Sequence, residues 1–271
     1  MAEQITPQID FTKELSNMFD LEDKVAYIPG GYGGIGEAIA WGLAMRGAKV
    51  VVSGRSSEKA DKLADNIKEA GFEASGVAVD VKSVAEIKDS VDFVVEKYGK
   101  VDILVNSAGI QREEPILEVT EEAYDEVYQV NLKAAMFLAQ SCAKYQIDAG
   151  EGGRQIHILS VRSQLGLRGR GYSAYCSTKG GMVMLTKQHA MELAPHQITV
   201  NGIAPTFTFT EMIRHVMENP EFKATIESRI PLGRIADPKD IVGSTLFFAS
   251  PAASFITGQI LYLDGGITAS Q

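Results

Sequence analysis

A chain of 271 residues, 45% hydrophobic and 23% charged, can bury a sizeable core as one large α/β unit or two small ones. Its 26 Lys and Arg against 35 Asp and Glu leave a formal charge of −9, which argues against a nucleic-acid partner, because phosphate backbones require a basic surface. Two distant cysteines, Cys142 and Cys176, and four histidines without HExxH spacing indicate neither a disulfide framework nor a metal centre.

Residues 1–20 read as an extension ahead of the first strand. They carry acidic residues and lack the apolar stretch of a secretory signal. No run of the sequence approaches the roughly 18 apolar residues of a membrane span. A cytoplasmic protein with no membrane partner and a small-molecule substrate is the expectation. Residues 21–271 read as a single domain, since no linker or low-complexity tract interrupts them.

The first strand is predicted over 25–28. It runs into Pro29-Gly30-Gly31-Tyr32-Gly33-Gly34-Ile35-Gly36 and then a helix over 35–46. Glycines are needed where a backbone turns tightly and approaches a pyrophosphate, and a helix N-terminus offers free N–H groups to it. A dinucleotide site is therefore predicted at Gly30, Tyr32, Gly33, Gly34, Ile35 and Gly36. The second strand, over 48–53, ends at Ser53-Gly54-Arg55-Ser56. An NAD site places a carboxylate here for the ribose 2′-hydroxyl. Gly54 offers none, whereas Arg55 can pair with a 2′-phosphate and Ser53 and Ser56 can add hydroxyls, so NADP is favoured and NAD is the alternative. Arg55 can equally be a solvated loop cation.

Apolar runs continue at 74–79, 101–105, 155–159, 198–203 and 259–263, alternating with helical stretches at 58–70, 84–98, 121–148 and 173–193. That rhythm predicts right-handed βαβ units and a doubly wound parallel sheet of Rossmann type, with helices on both faces. In the last of these helices Tyr175 and Lys179 stand four apart, on one face. A tyrosine is too weakly acidic to act as a base near neutral pH, and a neighbouring ammonium favours its phenolate. Residues 206–235 break the rhythm and read as a helical flap.

The spacing Gly30-x-x-x-Gly34-x-Gly36 resembles the short-chain dehydrogenase/reductase family. So do Asp80-Val81, Asn106-Ser107-Ala108-Gly109, Asn131 in Val-Asn-Leu, Tyr175-x-x-x-Lys179, Pro205 with Thr210, and the terminal Leu-Asp-Gly-Gly. The resemblance spans about Leu21 to Thr268, and within the family it looks most like the branch acting on sugars, sugar acids and polyols, such as gluconate 5-dehydrogenases. Pro29 replaces the family's usual Thr, Ser107 its second Asn, and Thr206 a Gly. With no donor at Pro29, hydrogen bonds that brace the turn are expected to be lost.

The resemblance implies a nicotinamide cofactor held also by Asp80, Val81, Asn106, Ala108, Gly109, Pro205 and Thr210, with Tyr175 and Lys179 touching it. Asp80 resembles the acid that binds adenine, and can equally be a helix N-cap. A catalytic serine is implied as well. Ser160 directly follows the fifth strand and is preferred to Ser163, with the extra residues before Tyr175 placed in 167–172. Asn131 is implied to hold a water that links Lys179 to solvent; otherwise it is a polar helix residue satisfied by a neighbour.

The expected reaction is hydride transfer between nicotinamide and a secondary alcohol or ketone, with Tyr175 as acid and base. Gln111, Arg112, Arg162, Ser163, Gln164, Phe207, Phe209 and Met212, from the loops after strands four to six, are expected near the substrate. Their arginines and amides suit a sugar acid, although surface arginines are common; a hydrophobic ketone, or a catalytically silent nucleotide-binding scaffold, is the alternative. The two longest helices, 121–148 and 173–193, are apolar around much of their circumference, and helices of this kind pair between subunits in the family, so a homotetramer is expected.

Overall fold

Seven parallel strands hydrogen-bond in the order β3-β2-β1-β4-β5-β6-β7 in the computed structural model, which describes residues 11–210 and 218–270. They are β1 (Val25–Pro29), β2 (Lys49–Gly54), β3 (Ala74–Ala78), β4 (Ile103–Asn106), β5 (Gly153–Ile158), β6 (Ile198–Pro205) and β7 (Ile260–Leu263). The strand order reverses between β1 and β4, and ligands of such sheets bind at the C-terminal ends of the strands where this happens.

Side chains alternate between two cores. Ala26, Ile28, Val50, Val52, Ile103 and Val105 point to one face. There they meet Ile39 and Leu43 of α2 (Gly34–Ala44), Leu63 and Ile67 of α3 (Ser57–Glu69), and Ile241 and Phe248 of the C-terminal helix (Pro238–Ala249). Tyr27, Val51 and Leu104 point to the other, against Ile87, Val91 and Val94 of α4 (Val84–Tyr98) and Leu138 and Cys142 of α6 (Ala134–Ala149). The central strands are apolar on both sides because both sides are covered. Further on, Met182 of α7 (Ser173–Leu193) packs with Leu159 and Ala204.

The helix predicted over 121–148 is not continuous. It consists of α5 (Glu121–Tyr128), a π-helical turn over Gln129–Lys133, and α6. One π turn widens the helix locally and rotates its C-terminal half relative to its N-terminal half, and such turns concentrate at functional sites. Asn131 lies inside this one.

The glycine turn is braced despite Pro29. The N–H groups of Gly30 and Gly31 donate to the Ser53 carbonyl at 2.9 and 3.1 Å, and Ser107 N donates to the Pro29 carbonyl at 2.9 Å. Pro29 closes β1, where a missing N–H costs least: pairing with β2 continues to Pro29, while pairing with β4 runs only from Ala26 to Tyr27.

At the opposite rim, helices return to strands through turns at Gly71 (φ 92°) and Gly99 (φ 81°), where a Cβ would meet nothing within 4 Å. Of the N-terminal extension, residues 11–20 are described and include α1 (Phe11–Ser16); Met18 accepts a hydrogen bond from Ala252 N at 3.0 Å. Of the flap, residues 211–217 lie outside the described residues. The remainder includes α8 (Pro220–Glu227) and a bridge between Thr208 and Ala236, so α9 is the helix Pro238–Ala249.

Candidate active site

A groove of about 400 Å³ opens over the C-terminal ends of β1 and β4. Its floor is the glycine turn: Gly30, Tyr32, Gly33, Gly34, Ile35 and Gly36. Gly30 has φ 78°, and a Cβ on it would stand 2.7 Å from the backbone of Ser107 and Ala108. A side chain there would therefore separate the two loops that form the groove. Gly33 caps α2 with no side-chain hydrogen bond, so the helix's first N–H groups face the groove without a competing acceptor. Thr210 packs on Gly34, and its methyl would lie 2.8 Å from a Cβ there. Narrow backbone, free donors and a positive helix end fit a pyrophosphate.

Arg55, Asp80, Val81, Ala108, Gly109, Ile110 and Gln111 line the walls of the same groove. Asp80 does not cap α4. Ser83 does, accepting from Glu86 N at 3.2 Å, while Asp80 Oδ1 accepts from Lys82 N at 3.0 Å. The Ser53 hydroxyl is not brought to the groove: it is fully buried and donates to the Tyr27 hydroxyl at 3.1 Å. The two-residue period of β2 puts it on the face of Val51, away from the ligand side. Asn106 is also buried; its Oδ1 accepts from Ala108 N at 3.2 Å and shapes the second loop without lining the groove. Pro205 is buried at the end of β6.

The ring of Tyr32 lies against Gly54. A Cβ on Gly54 would stand 2.5–2.6 Å from the phenol ring and its oxygen. The phenol oxygen accepts from Ser56 N at 3.0 Å, while Ser56 Oγ caps α3. The phenol thus covers the place where a carboxylate would stand, and its own proton is free to donate outward.

Tyr175 and Lys179 border the inner end of the groove. Lys179 Nζ donates to the Ile158 carbonyl at 2.9 Å and stands 5.7 Å from the centre of the Tyr175 ring. Burial lowers its pKa from the usual lysine value to about 8. Tyr175 is pushed up to about 12, chiefly by burial, while its hydrogen bond with Ser160 works in the opposite direction. Ser160 Oγ accepts from Arg162 N at 3.1 Å, which leaves its hydroxyl proton for Tyr175 or for a ligand oxygen. Ser163 instead bonds the Tyr262 hydroxyl at 3.2 Å. Of the two serines, it is therefore Ser160 that stands with Tyr175.

Asn131 projects from the π turn into a set of hydrogen bonds. Its amide accepts from Ile110 N at 2.8 Å, donates to the Ile110 carbonyl at 2.9 Å, and donates to Thr178 Oγ1 at 3.2 Å. One fully buried side chain thus ties the loop after β4 to the helix that carries Tyr175 and Lys179. A Cβ on Gly109 would stand 3.5 Å from Asn131 Oδ1 and 3.7 Å from Lys179 Nζ, so the loop closes over both.

The residues expected near substrate divide. Arg112 is exposed and paired with Glu126, Gln164 and Phe209 are exposed, and Met212 lies outside the described residues. Arg162 and Phe207 share a second cavity with Arg168 and Arg229, which sequence reasoning missed. The loop 167–172 is docked rather than loose: Glu114 N donates to the Gly171 carbonyl at 2.9 Å, and Arg170 pairs with Glu113.

A family model described as enoyl-(acyl carrier protein) reductase matches residues 31–268. Gluconate 5-dehydrogenase of Gluconobacter oxydans is 36% identical over 254 residues, covering 94% of this chain and 98% of that one. 5-keto-D-gluconate 5-reductase of Escherichia coli is 33% identical, covering 93% and 98%. Among solved structures, a gluconate 5-dehydrogenase from Burkholderia cenocepacia, in complex with NADP and tartrate, superimposes with a TM-score of 0.90 at 35% identity, over 94% of this chain and 99% of that one.

Proposed function

The chain belongs to the short-chain dehydrogenase/reductase family, and from that premise we propose that it moves a hydride between NADP(H) and a secondary alcohol or ketone of a sugar acid. The observation that carries this reading is the cluster of Ser160, Tyr175 and Lys179 at the inner end of a groove that fits a dinucleotide. NADP is favoured over NAD because Gly54 supplies no carboxylate and Arg55 stands on the groove wall. The relative crystallised with NADP supports the same choice.

The cofactor, when bound, supplies or takes the hydride and, oxidised, brings a positive ring to the site. The remaining work belongs to the protein. Ser160, its oxygen held by Arg162 N, donates a hydrogen bond to the substrate oxygen and keeps its proton throughout. Tyr175 Oη takes the alcohol proton in oxidation and returns it in reduction. With its pKa near 8, Lys179 is largely protonated at neutral pH, while the Ser160 hydrogen bond and, more weakly, the charge of Arg162 favour the Tyr175 phenolate against the burial that opposes it. Asn131 acts through Ile110 and Thr178, fixing the distance between the loop that faces the cofactor and the helix that carries the base.

A cytoplasmic location belongs to this reading, supported by two free cysteines; no described helix is long and apolar enough to cross a membrane. So does a homotetramer, supported by large apolar side chains left exposed on α5–α7: Tyr124, Met136, Met184 and Met191. Residues 21–271 act as one dinucleotide-binding and catalytic domain.

The test is cofactor reduction followed by absorbance, with aldonates, neutral polyols and hydrophobic alcohols offered to the wild-type enzyme. Turnover of aldonates with NADP is expected. Tyr175→Phe, which keeps the ring but loses the proton carrier, lowers it at least ~100-fold and leaves cofactor binding nearly intact. Turnover confined to hydrophobic alcohols, or an active phenylalanine variant, contradicts the reading.

A further inference from the structure

A second cavity, of about 550 Å³, adjoins the catalytic cluster. Arg162, Arg168 and Arg229 line it, with apolar walls from Leu165, Phe207 and Ile226. Arg162 joins it directly to the chemistry, because its backbone N–H holds the Ser160 hydroxyl oxygen. Among the described residues lining this cavity there is no acidic side chain. In a chain with a formal charge of −9, three arginines with no acid among the described lining residues are a local inversion of sign.

Arg162 is the telling member. It is only 8% exposed. Nη1 donates to the carbonyls of Leu165 and Gly166 at 3.3 and 2.7 Å, which fixes the guanidinium plane. The acidic groups that act on it are Cys176, Tyr172 and Tyr175, and the cation that acts on it is Arg229. None of these is a carboxylate. A buried cation without a counterion is strongly unfavourable, and among the described residues no carboxylate pairs with Arg162, so an arriving anion would relieve that cost. The guanidinium's remaining donors form a planar fork suited to an oxyanion.

We infer that this cavity receives the terminal oxyanion of the substrate: the carboxylate of a sugar acid, held by Arg162 and flanked by Arg168 and Arg229. The inference rests on the reading of the chain as a sugar-acid oxidoreductase and adds how the acid is read. The carboxylate anchors one end of the chain, and the carbon that reaches Ser160 and Tyr175 is then set by its distance from that anchor. Hydroxyl stereochemistry is read second. A phosphate monoester presents the same chemistry to three arginines and is the other source to be tested.

The enzyme carrying Tyr175→Phe and loaded with NADP binds without turnover, so affinity can be read by calorimetry with D-gluconate, D-glucitol and D-glucitol 6-phosphate. Gluconate is expected to bind at least ~10-fold more tightly than glucitol, and added salt to weaken gluconate alone. Arg168→Gln and Arg229→Gln, both at exposed positions where folding is not at stake, each weaken gluconate about 3- to 10-fold and leave glucitol unchanged. Arg162→Lys keeps the charge but loses the fork, and weakens gluconate further. If the phosphate binds more tightly than gluconate and suffers the same losses, the oxyanion is a phosphate and the arginine site stands. Gluconate affinity that ignores all three arginines, or that falls in step with glucitol, overturns the inference. The two readings fail separately. Turnover of gluconate with a KM unmoved by the arginine variants sinks the anchor alone, whereas no turnover of any sugar acid sinks the function itself.

Discussion

The phenol of Tyr32 and the bare backbone of Gly54 are two halves of one contact, and together they bear on cofactor choice. Arg55 is exposed beside them and positioned to meet a 2′-phosphate. Arg55→Ala is expected to lower NADP affinity roughly 10-fold and leave NAD affinity unchanged, as fluorescence titration of both cofactors will show. Gly54→Asp, the substitution that would supply an acceptor for the 2′-hydroxyl, meets the Tyr32 ring at 2.5 Å. It should therefore disturb both cofactors when made alone and improve NAD binding only when combined with Tyr32→Ser. Equal NAD affinity in the single and double variants would show that the ring is no obstacle. Lys179 carries a second expectation. Its folded pKa near 8 lies below the ordinary lysine value, so protonated Lys179 costs stability below about pH 8, and the cost fades as pH rises towards ~10.5. Lys179→Met removes the charge and one hydrogen bond to a carbonyl. At pH 7 it should be more stable than the parent by about 1–3 kcal/mol in urea, with the gap closing by pH ~10, while turnover collapses. A variant less stable at pH 7 would mean that the bond to Ile158 outweighs burial of the charge.

At the level of elements, the sheet and most helices were legible because their periods are local. The stretches 84–98 and 173–193 fall where the structure has α4 and α7, and the strands shift by a residue or two at their ends. The π turn was invisible, since a widening within Gln129–Lys133 leaves a helical pattern on either side. Ser53 could have been placed from sequence, because the period of β2 puts it in phase with Val51, but its place at the end of the strand beside Gly54 and Arg55 suggested a hydroxyl for the cofactor. The glycine turn and the Tyr175–Lys179 pair were legible since each is held together by adjacent chain. The arginine cluster was legible only in part: Arg162 was expected near substrate, but Arg168 and Arg229 were not, since Arg229 comes from a separate segment that only the tertiary fold brings to the same cavity. The π turn yields its own test. Deleting Gln129, which is exposed, should restore an ordinary helix and turn Asn131 by roughly 100° relative to one flank. Helical circular dichroism should persist while turnover falls more than ~10-fold, because one amide can no longer reach both Ile110 and Thr178. Full activity in the deletion would deny the clamp a positioning role.

For the whole molecule, assembly depends on what the helices leave uncovered. Met184 and Met191 of α7 are 62% and 60% exposed, a large apolar investment for a face in water. Sedimentation at micromolar concentration should show a tetramer, and Met184→Glu with Met191→Glu should yield smaller species; a wild-type monomer would refute the assembly. The two rims of the sheet also have separate lives. The groove, the Tyr175–Lys179 pair and the arginine cavity all gather at the strands' C-terminal ends, whereas Gly71 and Gly99 turn the chain in open space at the other rim. That rim can carry cargo without cost to the chemistry. New chain ends, a dye or a tether to an electrode placed beside either glycine, whose positive φ is itself kept, would hold the enzyme by its back, with its mouth turned to the solution.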